Sequence, residues 1–167
     1  MPTLKLDTML SKKIVITGHI NVGKTSLFMR FLQNEFSDRY HTTIGVKVDK
    51  KAVEIDGQEV SLVLWDLAGE VSQEKVPRAY FLGASCIIFV YDLTRPVTHE
   101  KIKADIKFIN KILPGCLIKI VGNKSDLLTE EELSKNKTAL PTDIYTSAKT
   151  GENVESLFMD IGRELIS

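Results

Sequence analysis

The sequence predicts an α/β fold: a six-stranded, mostly parallel sheet with one antiparallel edge strand and helices on both faces. Three observations carry that expectation. Continuous apolar runs at 13–17, 85–91 and 116–121 have the character of central parallel strands covered on both sides. Longer stretches with helical patterning alternate with them. Between the first and second runs, two segments with apolar–polar alternation flank an Asp56-Gly57 turn, the signal for a hairpin.

In chain order, strand 13–17 (KIVIT) runs into a glycine and then a helix over 24–33. The hairpin strands are 47–55 and 60–66, and the hairpin supplies the antiparallel edge. Strands 85–91 and 116–121 follow, with a helix over 98–112 between them. A helix over 129–136 leads to a short last strand at 142–145. The final helix, 152–166, places Val154, Leu157, Phe158, Ile161 and Leu165 at spacings of three and four, giving one apolar face. In sheets of this type ligands bind outside the carboxyl ends of the strands. The polar motifs of the sequence fall there.

At 167 residues the chain suits one folded domain, read as 11–167 with residues 1–10 as an N-terminal extension. Twenty-two Lys and Arg balance twenty-two Asp and Glu, so the basic excess of a nucleic-acid-binding chain is missing and no nucleic-acid partner is expected. Cys86 and Cys116 each begin an apolar run and are expected to be buried, reduced thiols in a cytoplasmic protein. No stretch is long and apolar enough for a signal peptide or a membrane span. Residue 2 is proline, not glycine, and the chain closes on Ser167 without a prenylatable cysteine. No membrane anchor is expected in this chain, so peripheral membrane association would need a partner or a missing tail.

After the first strand comes Gly18-His19-Ile20-Asn21-Val22-Gly23-Lys24-Thr25, a full match to the phosphate-loop pattern. Glycines let the backbone wrap a phosphate with its amide N–H groups turned inward, and the following helix adds its positive N-terminal end. Lys24 is expected on the outer phosphates and the Thr25 hydroxyl on Mg²⁺. Asn123-Lys124-Ser125-Asp126 follows the strand ending at Val121. The Asp126 carboxylate can accept from both the N1–H and the exocyclic amine of guanine, a donor pair that adenine does not offer. Asn123 and Lys124 can brace the ring, and in Ser147-Ala148-Lys149 the Ala148 N–H can donate to the guanine carbonyl oxygen. Trp65-Asp66-Leu67-Ala68-Gly69 ends another strand: Asp66 can hold an Mg²⁺-bound water, and the Gly69 N–H can meet a γ-phosphate. A segment tied to the γ-phosphate is released when that group leaves, which makes an order–disorder switch.

Together these residues resemble the Ras superfamily of small GTPases, and its Rab branch most closely, over about 12–165. Thr43-Ile44-Gly45-Val46, Tyr80-Phe81-Leu82-Gly83-Ala84 and Val90-Tyr91-Asp92 strengthen the likeness. The resemblance implies the G-domain form of the P-loop NTPase fold, GTP or GDP as ligand, Mg²⁺ as cofactor and GTP hydrolysis as activity. It implies metal ligation by Thr25, Thr43 and Asp66. Phe36 would lie edge-on to guanine and Tyr40 would flap over the phosphates. The implied nucleotide site comprises Gly18, Asn21, Val22, Gly23, Lys24, Thr25, Ser26, Phe36, Tyr40, Thr43, Gly69, Asn123, Lys124, Asp126, Ser147, Ala148 and Lys149. The implied catalytic set is Lys24, Thr43, Gly69 and Glu70. Effectors, exchange factors and GTPase-activating proteins would meet residues 37–48 and 67–80 of a monomer, with Ile44, Trp65 and Tyr80 as the contact patch.

The chain also departs from the family. Glu70 stands where most members carry the glutamine that positions the attacking water. An amide both donates and accepts, whereas a carboxylate only accepts and adds negative charge beside the γ-phosphate. Ile20 brings a branched side chain to a loop position that is usually small. Both changes predict slow hydrolysis, and the rival reading is a mainly GTP-loaded interaction module. A P-loop kinase or ATPase is disfavoured by Asp126 and by the absence of a lid-like arginine cluster. In the presumed effector strand Lys47 replaces an acidic residue and Val48 an aromatic, and 71–77 lacks the arginine and aromatic of Rab proteins.

Overall fold

The protein is described from a computed structural model covering residues 9–38, 43–70 and 72–167, with the backbone alone at Thr138. Six strands form one sheet: β1 (Leu10–Gly18), β2 (Val46–Ile55), β3 (Gln58–Leu67), β4 (Cys86–Asp92), β5 (Leu117–Asn123) and β6 (Ile144–Thr146). Their spatial order is β2-β3-β1-β4-β5-β6. All neighbouring pairs are parallel except β2 with β3, the predicted hairpin. At its turn Asp56 and Gly57 both take positive φ, 51° and 79°, as a two-residue connection with the twist of the flanking strands requires.

Among the described residues five α-helices pack on the sheet: α1 (Lys24–Gln33), α2 (Arg78–Phe81), α3 (Ile102–Ile112), α4 (Glu130–Ala139) and α5 (Val154–Ile166). Strand alternation sends Ile14 and Ile16 to one face, where they meet Leu27 and Phe31 of α1 and Leu157 and Phe158 of α5. Phe31 and Phe158 stack with centroids 4.1 Å apart. Val15 and Ile87 point to the other face, against Val76, Phe81 and Ile109. Phe89, Tyr91 and Ile120 continue that layer toward Ile102 of α3. The six strands and the helices on both faces agree with the predicted class.

Several boundaries differ from those the sequence suggests. The helix expected from 98 begins at Ile102, because Pro96–Thr98 forms a short 3-10 turn held by the Thr98 hydroxyl on the Arg95 carbonyl at 2.7 Å. The last strand is shifted to Ile144–Thr146, since Asp143 spends its N–H on Ile120 O and its carboxylate on Ile120 N. α4 runs three residues beyond the expected 136, started by a capping box between Thr129 and Glu132. No apolar periodicity announces α2 or the 3-10 turn Gln73–Lys75 before it. Cys86 is buried as expected, whereas Cys116 at the rim of β5 is half-buried; both are free thiols. Among the described residues no helix is long and apolar enough to cross a membrane.

Candidate nucleotide-binding site

β1 stops at Gly18 and the chain turns through 19–23 before α1 begins at Lys24. Along this turn Asn21 and Gly23 take positive φ, 62° and 98°, curling the backbone around the mouth of a cavity of about 330 Å³. Lys24, Thr25, Ser26, Phe36, Thr43 and Gly69 are among its walls. Lys24 is only 6% exposed, and its ammonium rests on the His19 carbonyl at 2.6 Å. Burial lowers its pKa to about 8, with Asp66 pulling the other way. A cation this short of solvent and counter-charge is a ready partner for an anion.

Beside it lies an oxygen cluster. The Thr25 hydroxyl donates to Asp66 Oδ2 at 2.6 Å and stands 2.7 Å from the Thr43 hydroxyl. Having spent its one proton on Asp66, Thr25 accepts from Thr43. Asp66 Oδ1 is buried without a partner, and burial holds the Asp66 carboxyl above its ordinary pKa despite the Thr25 bond. Two hydroxyls and a carboxylate with an open lone pair are hard donors suited to Mg²⁺. Among the described residues no cluster of three or more His, Cys, Asp or Glu exists elsewhere to compete for an ion. The donor set therefore fits a magnesium ion completed by phosphate oxygens and water.

Gly69 follows β3 and presses directly on the phosphate loop. A Cβ there would fall 2.3 Å from Ile20 Cα and 2.5 Å from Ile20 N, so only glycine permits this approach. The next residue, Glu70, is half-buried and donates its backbone N–H to Gly18 O at 3.2 Å. Ile20 is 43% exposed at the same spot.

The second half of the site sits at the ends of β5 and β6. Asn123 is 1% exposed and works as a strut. Its Nδ2 donates to Val22 O at 3.0 Å, while Oδ1 accepts from the Thr146 hydroxyl at 3.0 Å and from Ala148 N at 3.3 Å. Lys124, at φ 69°, pairs with Asp92 Oδ2 at 2.8 Å and donates to Asn21 O at 3.1 Å. Asn123 and Lys124 thus brace protein loops rather than standing free beneath a ring. Asp126 is exposed and accepts from the Ser147 hydroxyl on Oδ1 at 2.7 Å.

The structure brings together the phosphate loop, Thr43, Asp66, Gly69 and Glu70 on one side and Asn123 through Lys149 on the other. Tyr40 lies outside the described residues. Sequence reasoning missed two arginines that tie these pieces. Arg30 of α1 donates to Ala148 O at 2.8 Å and to Lys149 O at 2.5 Å. Arg95 donates to Ile20 O at 3.1 Å and Asn21 O at 3.2 Å. Their partners are backbone carbonyls far away in the chain, so no local motif announces them.

A phosphate loop at the mouth of a parallel sheet, with a hydroxyl–carboxylate cluster at its side, defines a P-loop nucleotide-binding protein. A model of the Ras family matches residues 13–167. The human Ras-related protein Rab-30 is 36% identical over 162 residues, spanning 93% of this chain and 80% of its own. The GTP-binding protein ypt5 of Schizosaccharomyces pombe is 36% identical over 165 residues, with 93% and 78% covered. The Ras-related protein SEC4 of Saccharomyces cerevisiae is 36% identical over 157 residues, with 90% and 73% covered. The chain belongs to the Ras family, in its Rab branch, and is a small GTP-binding switch with GTPase activity.

Proposed function

We propose that this protein binds GTP and GDP with Mg²⁺ through the residues above, and that it hydrolyses GTP slowly, at or below the rate of an unassisted Ras-type site. The folded domain in this reading is 11–167, acting as a monomer. Lys24 and the amides of 21–26 hold the phosphates, Asp126 and the Ser147–Lys149 loop take guanine, and Phe36 at the cavity wall flanks it. Thr25, Thr43 and Asp66 hold the ion, which when bound neutralises phosphate charge. Thr43 and Gly69 come from the two segments whose positions depend on the γ-phosphate, so their release is the switching event.

The observation that carries the slow rate is the packing of Gly69 on Ile20, with Glu70 anchored beside them. A carboxylate at this place gives no hydrogen bond to the transferring phosphoryl group and repels its growing charge. The Ile20 side chain occupies space that water or a partner's arginine would need. The same two residues favour the second reading, a largely GTP-loaded interaction module. Partners would then read 37–48 and 67–80, where Ile44 is 90% exposed and the Tyr80 ring stands 6.4 Å from that of Trp65 on the adjoining strand.

Single-turnover hydrolysis with Mg²⁺ is expected at or below about 3–5 × 10⁻⁴ s⁻¹, and Glu70→Gln should raise it at least roughly tenfold. Faster hydrolysis by the wild type without a partner would overturn the proposal. An unresponsive Glu70→Gln would move the obstacle to Ile20. Nucleotide analysis of the purified protein separates the readings: bound GDP marks a cycling switch, bound GTP the loaded module.

A further inference from the structure

Three successive carbonyls at the tip of the phosphate loop, those of Ile20, Asn21 and Val22, are held by side chains from elsewhere in the chain. Asn123 Nδ2 donates to Val22 O at 3.0 Å and Lys124 Nζ to Asn21 O at 3.1 Å. Arg95 Nη1 donates to both Ile20 O, at 3.1 Å, and Asn21 O, at 3.2 Å. A trans peptide is planar, with its C=O and N–H on opposite sides. Fixing these carbonyls therefore turns the N–H groups of Asn21, Val22 and Gly23 the other way, and Asn21 and Gly23 line the cavity. Successive amides turned to one side make an anion-binding concavity. Asn123 and Lys124 belong to the motif read as the guanine end. Arg95 belongs to no motif.

The turn after β4 presents this arginine from a fixed base. Pro96 confines the residue before it to extended backbone, and Arg95 takes φ −128° and ψ 93°. Its N–H donates to Asp92 O at 3.1 Å, and its carbonyl accepts from Thr98 N at 3.0 Å and from the Thr98 hydroxyl at 2.7 Å. β4 lies beside β1 in the sheet, so the side chain crosses only from one strand end to the next. One guanidinium nitrogen carries two N–H bonds in a rigid plane, enough for two neighbouring acceptors. The place gripped is specific. Ile20 is the residue on which Gly69 presses, whereas a Cβ on Gly23 would collide with Asn123 Nδ2. The loop thus runs from the guanine end at Gly23 to the Gly69 end at Ile20, and Arg95 holds the latter.

We propose that Arg95 is a positioning residue for the phosphates beyond the first: by holding Ile20 O and Asn21 O it keeps the Asn21 and Val22 N–H groups aimed into the cavity. This rests on the reading of the cavity as a GTP site. Without the arginine both carbonyls turn to water, and their peptides must be re-aimed whenever a nucleotide binds. Preorganisation for the outer phosphates is lost, while contacts with the base and the first phosphate stay.

Competition of GDP and GMP against a fluorescent GDP tests this, since the two differ by the second phosphate. Arg95→Gln should weaken GDP at least roughly tenfold and GMP by less than about twofold. The GDP loss should be the same at about 0.1 M and about 1 M salt, because hydrogen bonds on the loop do not act through the range of a charge. Equal losses for GDP and GMP would overturn the proposal, marking a loosened domain in place of aimed amides. So would an unchanged GDP affinity. A GDP loss that disappears at the higher salt would overturn it too, since attraction through space alone behaves that way. If the wild type binds neither nucleotide, the GTP-site reading falls and the proposal with it; any of the other adverse results, with a wild type that binds, overturns the role of Arg95 alone.

Discussion

Asn123 offers the sharpest test of how the two halves of the site are joined. Asn123→Ala removes two well-formed side-chain hydrogen bonds, to Val22 O and from the Thr146 hydroxyl, and a longer one from Ala148 N. All three partners are buried, so none regains a bond to water without local opening. With about 0.5–1.5 kcal/mol for each bond, and more where the orphan stays dry, the expected loss is roughly 3 kcal/mol. For a domain of this size that corresponds to a fall of about 6–12 °C in melting temperature. The measurement belongs on nucleotide-free protein in scanning calorimetry, because bound nucleotide adds its own stabilisation. Asn123→Asp should be no milder, since its carboxylate would face the Val22 carbonyl. GDP release should quicken about tenfold or more in both, as each loop loses its strut at a cost of at least ~1.4 kcal/mol. If nucleotide-free Asn123→Ala melts with the wild type while GDP release still accelerates, Asn123 acts on the base and the strut argument is refuted.

Gly69→Ala forces a Cβ into the backbone of Ile20, which cannot rotate away as a side chain could. The second switch must part from the phosphate loop, losing the Glu70–Gly18 bond, with about 1–3 kcal/mol of destabilisation in denaturant titration and slower single-turnover hydrolysis. For Asp105 the prediction concerns pH. Burial pushes its carboxyl above the ordinary value, opposed by the Gln73 N–H and by Lys101 and His19, while Glu74 adds to the rise. A raised folded pKa means stability that is present below the unfolded pKa of 3.8 and lost as pH rises through the folded one. Asp105→Asn keeps an acceptor for Gln73 without the charge, so its melting temperature relative to wild type should climb between about pH 4 and pH 7. A gap that stays flat or shrinks would contradict the sign.

The legible parts of this fold are those with local causes. The phosphate loop reads out because glycine spacing, a preceding strand and a following helix are contiguous in sequence. The Asp56-Gly57 turn reads out because its backbone angles demand those residues. The start of α3 was misjudged because the Thr98 hydroxyl, turned back onto Arg95 O and the Asp92 backbone, holds a tighter turn where apolar spacing suggested helix. Arg30 was invisible because its partners at 148 and 149 lie more than a hundred residues away. Gln73 looked like one more polar residue in a loop, and only the approach of β1 and α3 makes it a buried one. The identity of Glu70 was plain from the sequence; the backbone bond that ties it to Gly18 was not.

The substitutions at 47 and 70 are two sides of one electrostatic arrangement. Glu70 adds a negative charge one residue beyond Gly69, which lines the cavity. Lys47 supplies the opposite charge. It lies directly across the β2–β3 ladder from Asp66, lines the same cavity, and draws the Asp66 carboxyl pKa downward. An acidic residue there would have stacked a third carboxylate on the phosphate entrance and raised the cost of binding any nucleotide. Lys47 therefore lets the site bear Glu70 and still attract a polyanion, but from the rim: it is exposed, and its charge is screened over about 8 Å at physiological ionic strength. Such a charge helps the phosphates arrive. It does nothing for the geometry of an attacking water, so in the proposed reading Lys47 bears on phosphate binding and not on the chemical step.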